Sequence, residues 1–438
     1  MRSIWSKTVT PPAFPQLEKD ISPEVAVIGG GMAGILCAAA LRERGIDCAV
    51  LEANTVGSGI TANTTAVLSV QTETLYLDRI RKRGAEAAKL LLDAEREAIE
   101  RFRSYAETIP CDLENLPALT YSLRDAEKMK AEASALRSLG LAAEFTTDTP
   151  LPFPVAGAVR MPETAQFHPL KFLYQLAKGL TVYENTRALR LEGTTVITDR
   201  AHVHAKRVIV ATHFPFINRY GLYFLKLYQQ RSFVVAYRGA PSLGCSVMDE
   251  SEKGIYLRSY GDLLLIGGGD RRPGKSGKKG CGFAAARGFA RQHYPQAEEV
   301  CAWGNQDCVT LDDLPYIGAY RSGGKDVYVA TGFGGWGMTG SMIGAAVLAD
   351  LVTGEKNRYA KLFDPARRMK LLPLLQNGGE AMRGLLTPKL KRCSHMGCAL
   401  GWNEAEQSWD CPCHGSRFRA NGSVIDNPAT HGIVTKKT

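Results

Sequence analysis

Residues 25 to 53 read VAVIGGGMAGILCAAALRERGIDCAVLEA, and the order of residue types predicts a strand, a glycine turn, a helix and a second strand. Val25 to Ile28 is an apolar run of strand length that leads into Gly29-x-Gly31-x-x-Gly34. The helix is expected to run to about Arg44, and the second strand, Cys48 to Leu51, ends in Glu52. Each glycine has a mechanical reason in a dinucleotide-binding turn. Gly29 allows the tight turn, Gly31 lets a pyrophosphate approach the backbone, and Gly34 lets the helix pack on the strand. The phosphates would sit on the helix N-terminus, and Glu52 would accept the ribose hydroxyls.

The following segment, GSGITANTTAVLSVQ (57–71), has the small and hydroxyl residues suited to a loop lying along a cofactor. From here the chain resembles the D-amino acid oxidase superfamily, which includes glycine and sarcosine oxidases. The resemblance returns at KRVIVATH (206–213), LLLIGGGD (263–270), DDLPYIG (312–318) and DVYVATGFGGWGMTGSMIGAAVLADLVTGE (326–355). It implies FAD, held by Gly29, Gly30, Gly31, Met32, Ala33, Gly34, Glu52 and Ala53. It adds Thr61, Thr64, Thr65 and Ala66 from the loop, Ala188, and Ala211 and Thr212 from KRVIVATH. Gly332, Gly334, Gly335, Trp336, Gly337, Met338 and Thr339 complete the set. Thr331 to Thr339 should enter a helix ending near Val352, with its amides toward the flavin pyrimidine, where negative charge develops on reduction. Some sarcosine oxidase relatives attach flavin through a cysteine hereabouts; this loop has none, so non-covalent FAD is expected.

A second glycine cluster, Gly267 to Gly269, is followed by the basic loop DRRPGKSGKKG rather than a helical pattern. It reads as a strand end and turn, not as a nicotinamide site. Residues 79–108 carry apolar residues at helical spacing with a charged, solvated face. Between about 110 and 260, short alternating strands (ALTYSL, RSFVVAYRG, GIYLRSYG) are separated by turns; in this superfamily such segments form an antiparallel sheet that roofs the flavin. The expected fold is α/β (α+β overall), a doubly wound FAD-binding Rossmann-like domain with an interleaved antiparallel-sheet substrate domain. His168, ahead of a Pro-initiated helix from Leu170 to Lys178, is a substrate-pocket candidate set against a structural reading. Tyr256 and Arg258 lie where relatives often place substrate contacts, and Arg258 could hold a carboxylate bidentately or be an exposed strand residue. His202, His204, His213 and His293 have no partner spacing and are assigned no role.

Arg392 to Pro428 reads RCSHMGCALGWNEAEQSWDCPCHGSRFRANGSVIDNP. It offers C-x-H, then fifteen residues, then C-x-x-H: Cys393, His395, Cys411 and His414. A Rieske [2Fe-2S] cluster takes two thiolates on one iron and two imidazoles on the other, one of each per loop. Tetrahedral zinc also accepts two Cys and two His, but its ligand pairs are usually separated by two to four residues, and C-x-H has one. The loops resemble CTHLGC and CPCHGS of respiratory-type Rieske proteins, which a disulfide joins; by that resemblance Cys398 pairs with Cys413. Ser416 is in place to hydrogen-bond a bridging sulfide, while Phe418 stands where those proteins carry tyrosine. A potential below the respiratory type is therefore expected.

The expected organisation is an N-terminal arm (1–23), the oxidoreductase (24–364), a basic linker of about one short helix (365–388), a minimal Rieske lobe (389–430) and a tail (431–438). So small a lobe cannot bury enough surface alone, so cluster, disulfide and docking on the flavin domain should hold it. At 438 residues and 45% hydrophobic content the chain has ample core. The start is polar and proline-broken, without a signal-peptide pattern. The uncharged runs Val25 to Leu41 and Val329 to Ala349 are studded with glycine and read as backbone close to a cofactor rather than membrane spans. Cys37, Cys48, Cys111, Cys245, Cys281, Cys301 and Cys308 lack ligand spacing and read as free thiols of a cytoplasmic protein. Of the net charge of +10, residues 366–438 contribute +6, from eleven Lys/Arg against five Asp/Glu. That favours an acidic partner or the preceding domain over nucleic acid, since no recognition helix accompanies it.

Joined, the halves resemble bacterial FAD-dependent oxidoreductases with a C-terminal Rieske domain. The resemblance implies that a small amine or amino acid gives hydride to FAD and that electrons leave one at a time through the cluster to an external acceptor, a protein among the candidates. A one-electron exit competes with oxygen, which favours a dehydrogenase over an oxidase. Oxygenase chemistry would need a mononuclear iron with two His and a carboxylate, and no such spacing is present. A reductase component fed by a partner and a non-catalytic redox sensor stay open, as does a homo-oligomer.

Overall fold

The computed structural model describes residues 2–217, 221–251, 254–275, 282–320 and 326–435. Cys281 and residues 276–280 of the basic loop after Asp270 lie outside them.

The fingerprint forms as its residue order predicts. Val25–Ile28 and Cys48–Leu51 are fully buried parallel strands joined by the helix Met32–Glu43. A Cβ on Gly34 would sit 1.8 Å from the Gly29 carbonyl oxygen, so only glycine lets this helix lie on the turn. Four further strands complete the sheet, in the spatial order 316–319, 327–331, 207–210, 25–28, 48–51, 181–183. All neighbours are parallel except Tyr316–Ala319, which runs against Val327–Thr331. The helix Gly337–Thr353 packs against Met32–Glu43 and is buried almost throughout, which accounts for the long uncharged run in that part of the sequence.

The second sheet has eight strands in the order 298–310, 227–238, 263–271, 256–260, 246–249, 118–122, 157–161, 144–146. It is antiparallel except where Ser246–Asp249 runs parallel to Ala118–Ser122, a pairing between segments far apart in sequence. Leu227–Arg238 is longer than the short strand expected because it is paired on both sides and buried over most of its length. The glycine cluster 267–269 is inside the strand Leu263–Arg271, not at its end. A Cβ on Gly267 would fall 1.8 Å from the Tyr256 ring, so the missing side chain makes room for that ring.

Three expectations are revised. The N-terminal segment is no loose arm: Trp5 is fully buried and donates from Nε1 to the Thr64 carbonyl at 2.7 Å, under the loop that follows the fingerprint. The charged stretch 79–108 divides at Gly84 into helices Tyr76–Arg83 and Ala85–Ala106. Its Glu95 is buried, accepts from the Tyr76 hydroxyl at 2.7 Å and is pushed up to about 7 by burial, so that face is not wholly solvated. The linker holds a sixteen-residue helix, Leu371–Leu386, rather than a short one.

The C-terminal lobe is a four-stranded antiparallel sheet of 401–403, 408–410, 417–419 and 424–426. Val434–Thr435 returns to pair with Lys391–Arg392, so the lobe draws on residues placed in the tail. Phe418, Cys393, Cys398, Cys411 and Cys413 form its small core. The lobe lies on the second sheet. Gln229 donates to the His414 carbonyl at 2.7 Å and Gln306 to that of Gly415 at 2.9 Å. Arg231, almost fully buried, pairs with Glu406, which Arg417 also reaches at 3.1 Å. Among the described residues no helix is long and apolar enough to cross a membrane.

Candidate active site

A cavity of about 1410 Å³ opens above the glycine turn. Gly29, Gly31, Met32, Ala33, Glu52, Ala53, Thr61, Thr64, Ala188, Ala211, Thr212, Gly334, Gly335, Gly337 and Met338, all expected from the sequence to hold FAD, line it. The remaining predicted contacts support its walls. The Gly30 amide donates to Glu52 Oε2 at 2.7 Å, while Gly34 packs the helix. Gly332 packs on Thr310 and Leu227, and Trp336 and Thr339 line neighbouring cavities. Ala66, at φ +55°, offers its carbonyl to Arg258. Thr61 Oγ1 accepts from the Met32 amide at 3.0 Å and so ties the loop to the helix N-terminus. Glu52 also accepts from the Asn54 amide at 2.8 Å; with its oxygens held by two amides, the carboxylate has lone pairs left for ribose hydroxyls.

Five residues lining this cavity come from the lobe: Ile425, Asp426, Asn427, Ala429 and Thr430. Asn427 donates to the Phe214 carbonyl at 2.7 Å and to that of Thr212. The chain between these carbonyls links two sites. Thr212 and His213 line the cavity, while the Phe214 ring lies 5.9 Å from the ring of His414 and 6.4 Å from that of His395. His213 was without a role in the sequence because only the fold brings the lobe to it. Burial pulls it down to about 4, so it is neutral.

A second cavity, about 900 Å³, adjoins the first. Thr64, Asn305, Asp307, Gly335 and Met338 line both. Tyr256 and Arg258 line the second, with Thr65, Glu73 and Asp270. Arg258 is neither an exposed strand residue nor a free carboxylate clamp. It is 1% exposed, and its Nη1 and Nη2 donate to the carbonyls of Thr65, Ala66 (3.0 Å) and Phe167 (3.0 Å). Its plane also faces the Trp5 ring at 5.1 Å. The guanidinium thus holds the loop between the fingerprint and the second cavity. His168 does not line this cavity. Its Nδ1 accepts from the Lys171 amide at 3.2 Å and its Nε2 meets Thr8 Oγ1 at 2.9 Å, so it caps the helix Pro169–Ala177. Asp270, Asp307 and Glu73 went unseen in the sequence, since strand neighbours and a loop bring them together from positions 73 to 307. The acid that ends LLLIGGGD was the one available signal.

In the lobe, the two loops bring their histidine rings to 4.9 Å, nearly perpendicular. Burial lowers His395 to about 3 and His414 to about 4, which keeps both imidazoles neutral as metal ligands must be. His414 Nε2 meets the Phe224 carbonyl at 3.0 Å, and its buried Nδ1 has no hydrogen-bond partner. That orphaned nitrogen fits an imidazole ligand. Sγ of Cys398, Cys411 and Cys413 lie within 4.8 Å of one another. Those three sulfurs could hold a metal by themselves, but such a set would leave the paired, neutral imidazoles without purpose. Cys398 and Cys413 are free thiols in the structure, not the expected disulfide.

Residues 24–351 match the family of FAD dependent oxidoreductases (DAO), and residues 387–437 match the Rieske [2Fe-2S] domain. The chain belongs to this FAD-dependent oxidoreductase family and carries a C-terminal Rieske domain, with FAD and a [2Fe-2S] cluster as its cofactors. It is 31% identical to YhfW of Bacillus subtilis (strain 168), a Rieske 2Fe-2S iron-sulfur protein by name, across 98% of this chain and 96% of that one. Sixty residues are 42% identical to the cytochrome b6-f complex iron-sulfur subunit of Synechococcus sp. (strain JA-3-3Ab), covering 14% of this chain and 33% of that one. Glycine oxidase from Geobacillus kaustophilus superposes with a TM-score of 0.69 at 22% identity, over 80% of this chain and 100% of that one. L-proline dehydrogenase from P. horikoshii gives 0.66 at 19%, over 81% and 98%. These two likenesses are of fold.

Proposed function

We propose that this chain dehydrogenates a small amine or amino acid and passes the electrons one at a time through its Rieske cluster to an external acceptor. When bound, FAD supplies a hydride acceptor and the cluster a one-electron exit. The observation that carries the reading is the shared cavity: the glycine turn, the glycine-rich loop and the lobe residues 425–427 line the same space.

The flavin would lie along Gly29, Gly31 and Thr61, with Glu52 on its ribose and Gly334 to Met338 at its other end. There the N-terminus of Gly337–Thr353 places partial positive charge where the reduced ring is negative. The substrate would occupy the second cavity, with Asn305 and Asp307 at the seam between the two. Cys393, His395, Cys411 and His414 would hold the cluster, with Cys398 and Cys413 behind the loops and close enough to be oxidised to a disulfide. Thr212, His213 and Phe214 connect the cavity lining to the histidine rings and would lie along the exit route.

The test is anaerobic mixing of the holoprotein with D- and L-amino acids, N-methylated amino acids and simple amines, following flavin absorbance and low-temperature EPR. A bleached flavin followed by a reduced Rieske signal is the expected result. Reduction by dithionite alone would move the reading to a reductase component or a redox sensor.

A further inference from the structure

Among the described residues, the charged side chains lining the second cavity are Glu73, Asp270, Asp307 and Arg258. Three carboxylates therefore face one guanidinium, whose two terminal nitrogens are already committed to main-chain carbonyls. None of the three acids forms a salt bridge among the described residues. Asp270 Oδ2 accepts from Gln230 Nε2 at 3.2 Å, while its buried Oδ1 has no partner. Asp307 accepts from Ser232 Oγ at 3.2 Å and Asn305 Nδ2 at 3.3 Å. Glu73 is open to the cavity, and its Oε1 lies 3.2 Å from where a Cβ on Gly335 would be, which sets it against the glycine-rich loop.

A second observation concerns a neutral side chain. Asn305 is 8% exposed, lines both cavities, and its Oδ1 is buried without a hydrogen-bond partner. Unpartnered donors line the cavity too, on Gln71 Nε2, Trp336 Nε1 and Arg258 Nε, so what sets it apart is its charge, three carboxyls to one guanidinium. Buried acceptors and carboxylates are costly unless something donates to them or neutralises them. A zwitterionic amino acid brings no net positive charge, and its carboxylate would meet the acids with no free guanidinium fork to receive it.

We infer that the second cavity takes a substrate with two cationic nitrogens and no carboxylate, a short-chain diamine. The inference rests on the amine-dehydrogenase reading of this site and narrows it. Asp307 and Asn305, at the seam, would receive the nitrogen beside the reacting carbon; Asp270 and Glu73, which do not line the flavin cavity, would receive the remote ammonium.

The test uses the oxidised holoprotein and compounds of matched length: 1,4-diaminobutane, butylamine and 4-aminobutanoate, with glycine as a small amino acid. Binding is read by calorimetry and by perturbation of the flavin spectrum, reduction by bleaching under anaerobic conditions. The diamine should bind about ten-fold or more tighter than butylamine, and 4-aminobutanoate more weakly than butylamine. Asp270→Asn and Glu73→Gln should each narrow the diamine-to-butylamine ratio several-fold. Equal or tighter binding of butylamine, 4-aminobutanoate or glycine overturns the inference, as does no binding by any of them. If glycine or butylamine bleaches the flavin while the diamine fails to bind, the inference falls and the dehydrogenase reading stands. If the diamine binds with the predicted preference but never bleaches the flavin, the site assignment stands and the dehydrogenase reading falls.

Discussion

Gln229 donates from Nε2 to the main-chain carbonyl of His414 at 2.7 Å, which fastens a cluster loop to the sheet that lines the second cavity. The same amide reaches the Asn427 carbonyl at 3.3 Å, and its oxygen accepts from Gln306. Gly415, at φ +81°, lets the loop come this close, since a Cβ there would fall 2.6 Å from the Gln229 side chain.

Gln229→Leu should remove these bonds and leave the His414 carbonyl unsatisfied, at a cost of about 1–3 kcal/mol to docking. Substrate should still bleach the flavin at the original rate, while electrons should arrive at the cluster more slowly. Rapid-mixing absorbance measurements check both; equal slowing of the two steps would contradict the docking role.

Glu406→Gln should destabilise the interface more severely. It leaves Arg231, a side chain 2% exposed, without its carboxylate. Removing one partner of a buried pair typically costs about 3–5 kcal/mol. Denaturant unfolding of the holoprotein followed by the cluster signal should show the lobe released at lower denaturant than the flavin domain.

Phe418 is fully buried in the lobe core with the four lobe cysteines, and Ser416 Oγ accepts from the Ala429 amide at 3.0 Å. Phe418→Tyr adds a hydroxyl donor beside the cluster site. The midpoint potential should rise by tens of millivolts, since hydrogen bonds to cluster sulfurs raise it; an unchanged potential would show that the added hydroxyl does not reach a sulfur.

Binding of a cationic substrate should depend on pH in a definite direction. Burial raises Asp270 from 3.8 to about 6 and Asp307 well above its ordinary value. Of the other titratable groups at the cavity, Tyr256 (raised) and Arg258 (lowered to about 9) keep their charge states between pH 5 and 8. As pH rises through about 6 and beyond, these carboxyls gain charge, so diamine affinity should strengthen. Stability of the ligand-free protein should move oppositely. A carboxyl with a raised folded pKa binds more protons in the native state, so its contribution is present below the unfolded value and lost as pH rises through the folded one. Calorimetric titrations and thermal melts across pH 5 to 8 measure both.

The fingerprint, the glycine-rich loop and the cluster loops were legible because each is a local motif whose spacing is its chemistry. Fifteen of the residues expected at the flavin line one cavity, and the paired histidine rings of the lobe lie where two short motifs put them. What stayed hidden depends on long-range pairing. Asp307 and Asp270 meet because Glu298–Thr310 and Leu263–Arg271 flank the same central strand. The identities of Gln229 and Gln306 carry no signal until the lobe lies on them. His168 and Arg258 carry two readings each in the sequence for a related reason: polar groups near a pocket are as readily structural as catalytic, and only their hydrogen-bond partners decide.

Electron exit through the chain's own cluster is tested most directly by the concentration dependence of its rate. Flavin would be reduced anaerobically by substrate, or by one equivalent of a photochemical donor, and cluster reduction then followed by its visible absorbance over a hundred-fold range of protein concentration. A first-order rate independent of concentration is predicted, because lobe residues 425–427 line the flavin cavity of the same chain. A rate proportional to concentration, or a cluster that stays oxidised while the flavin is fully reduced, would contradict the account.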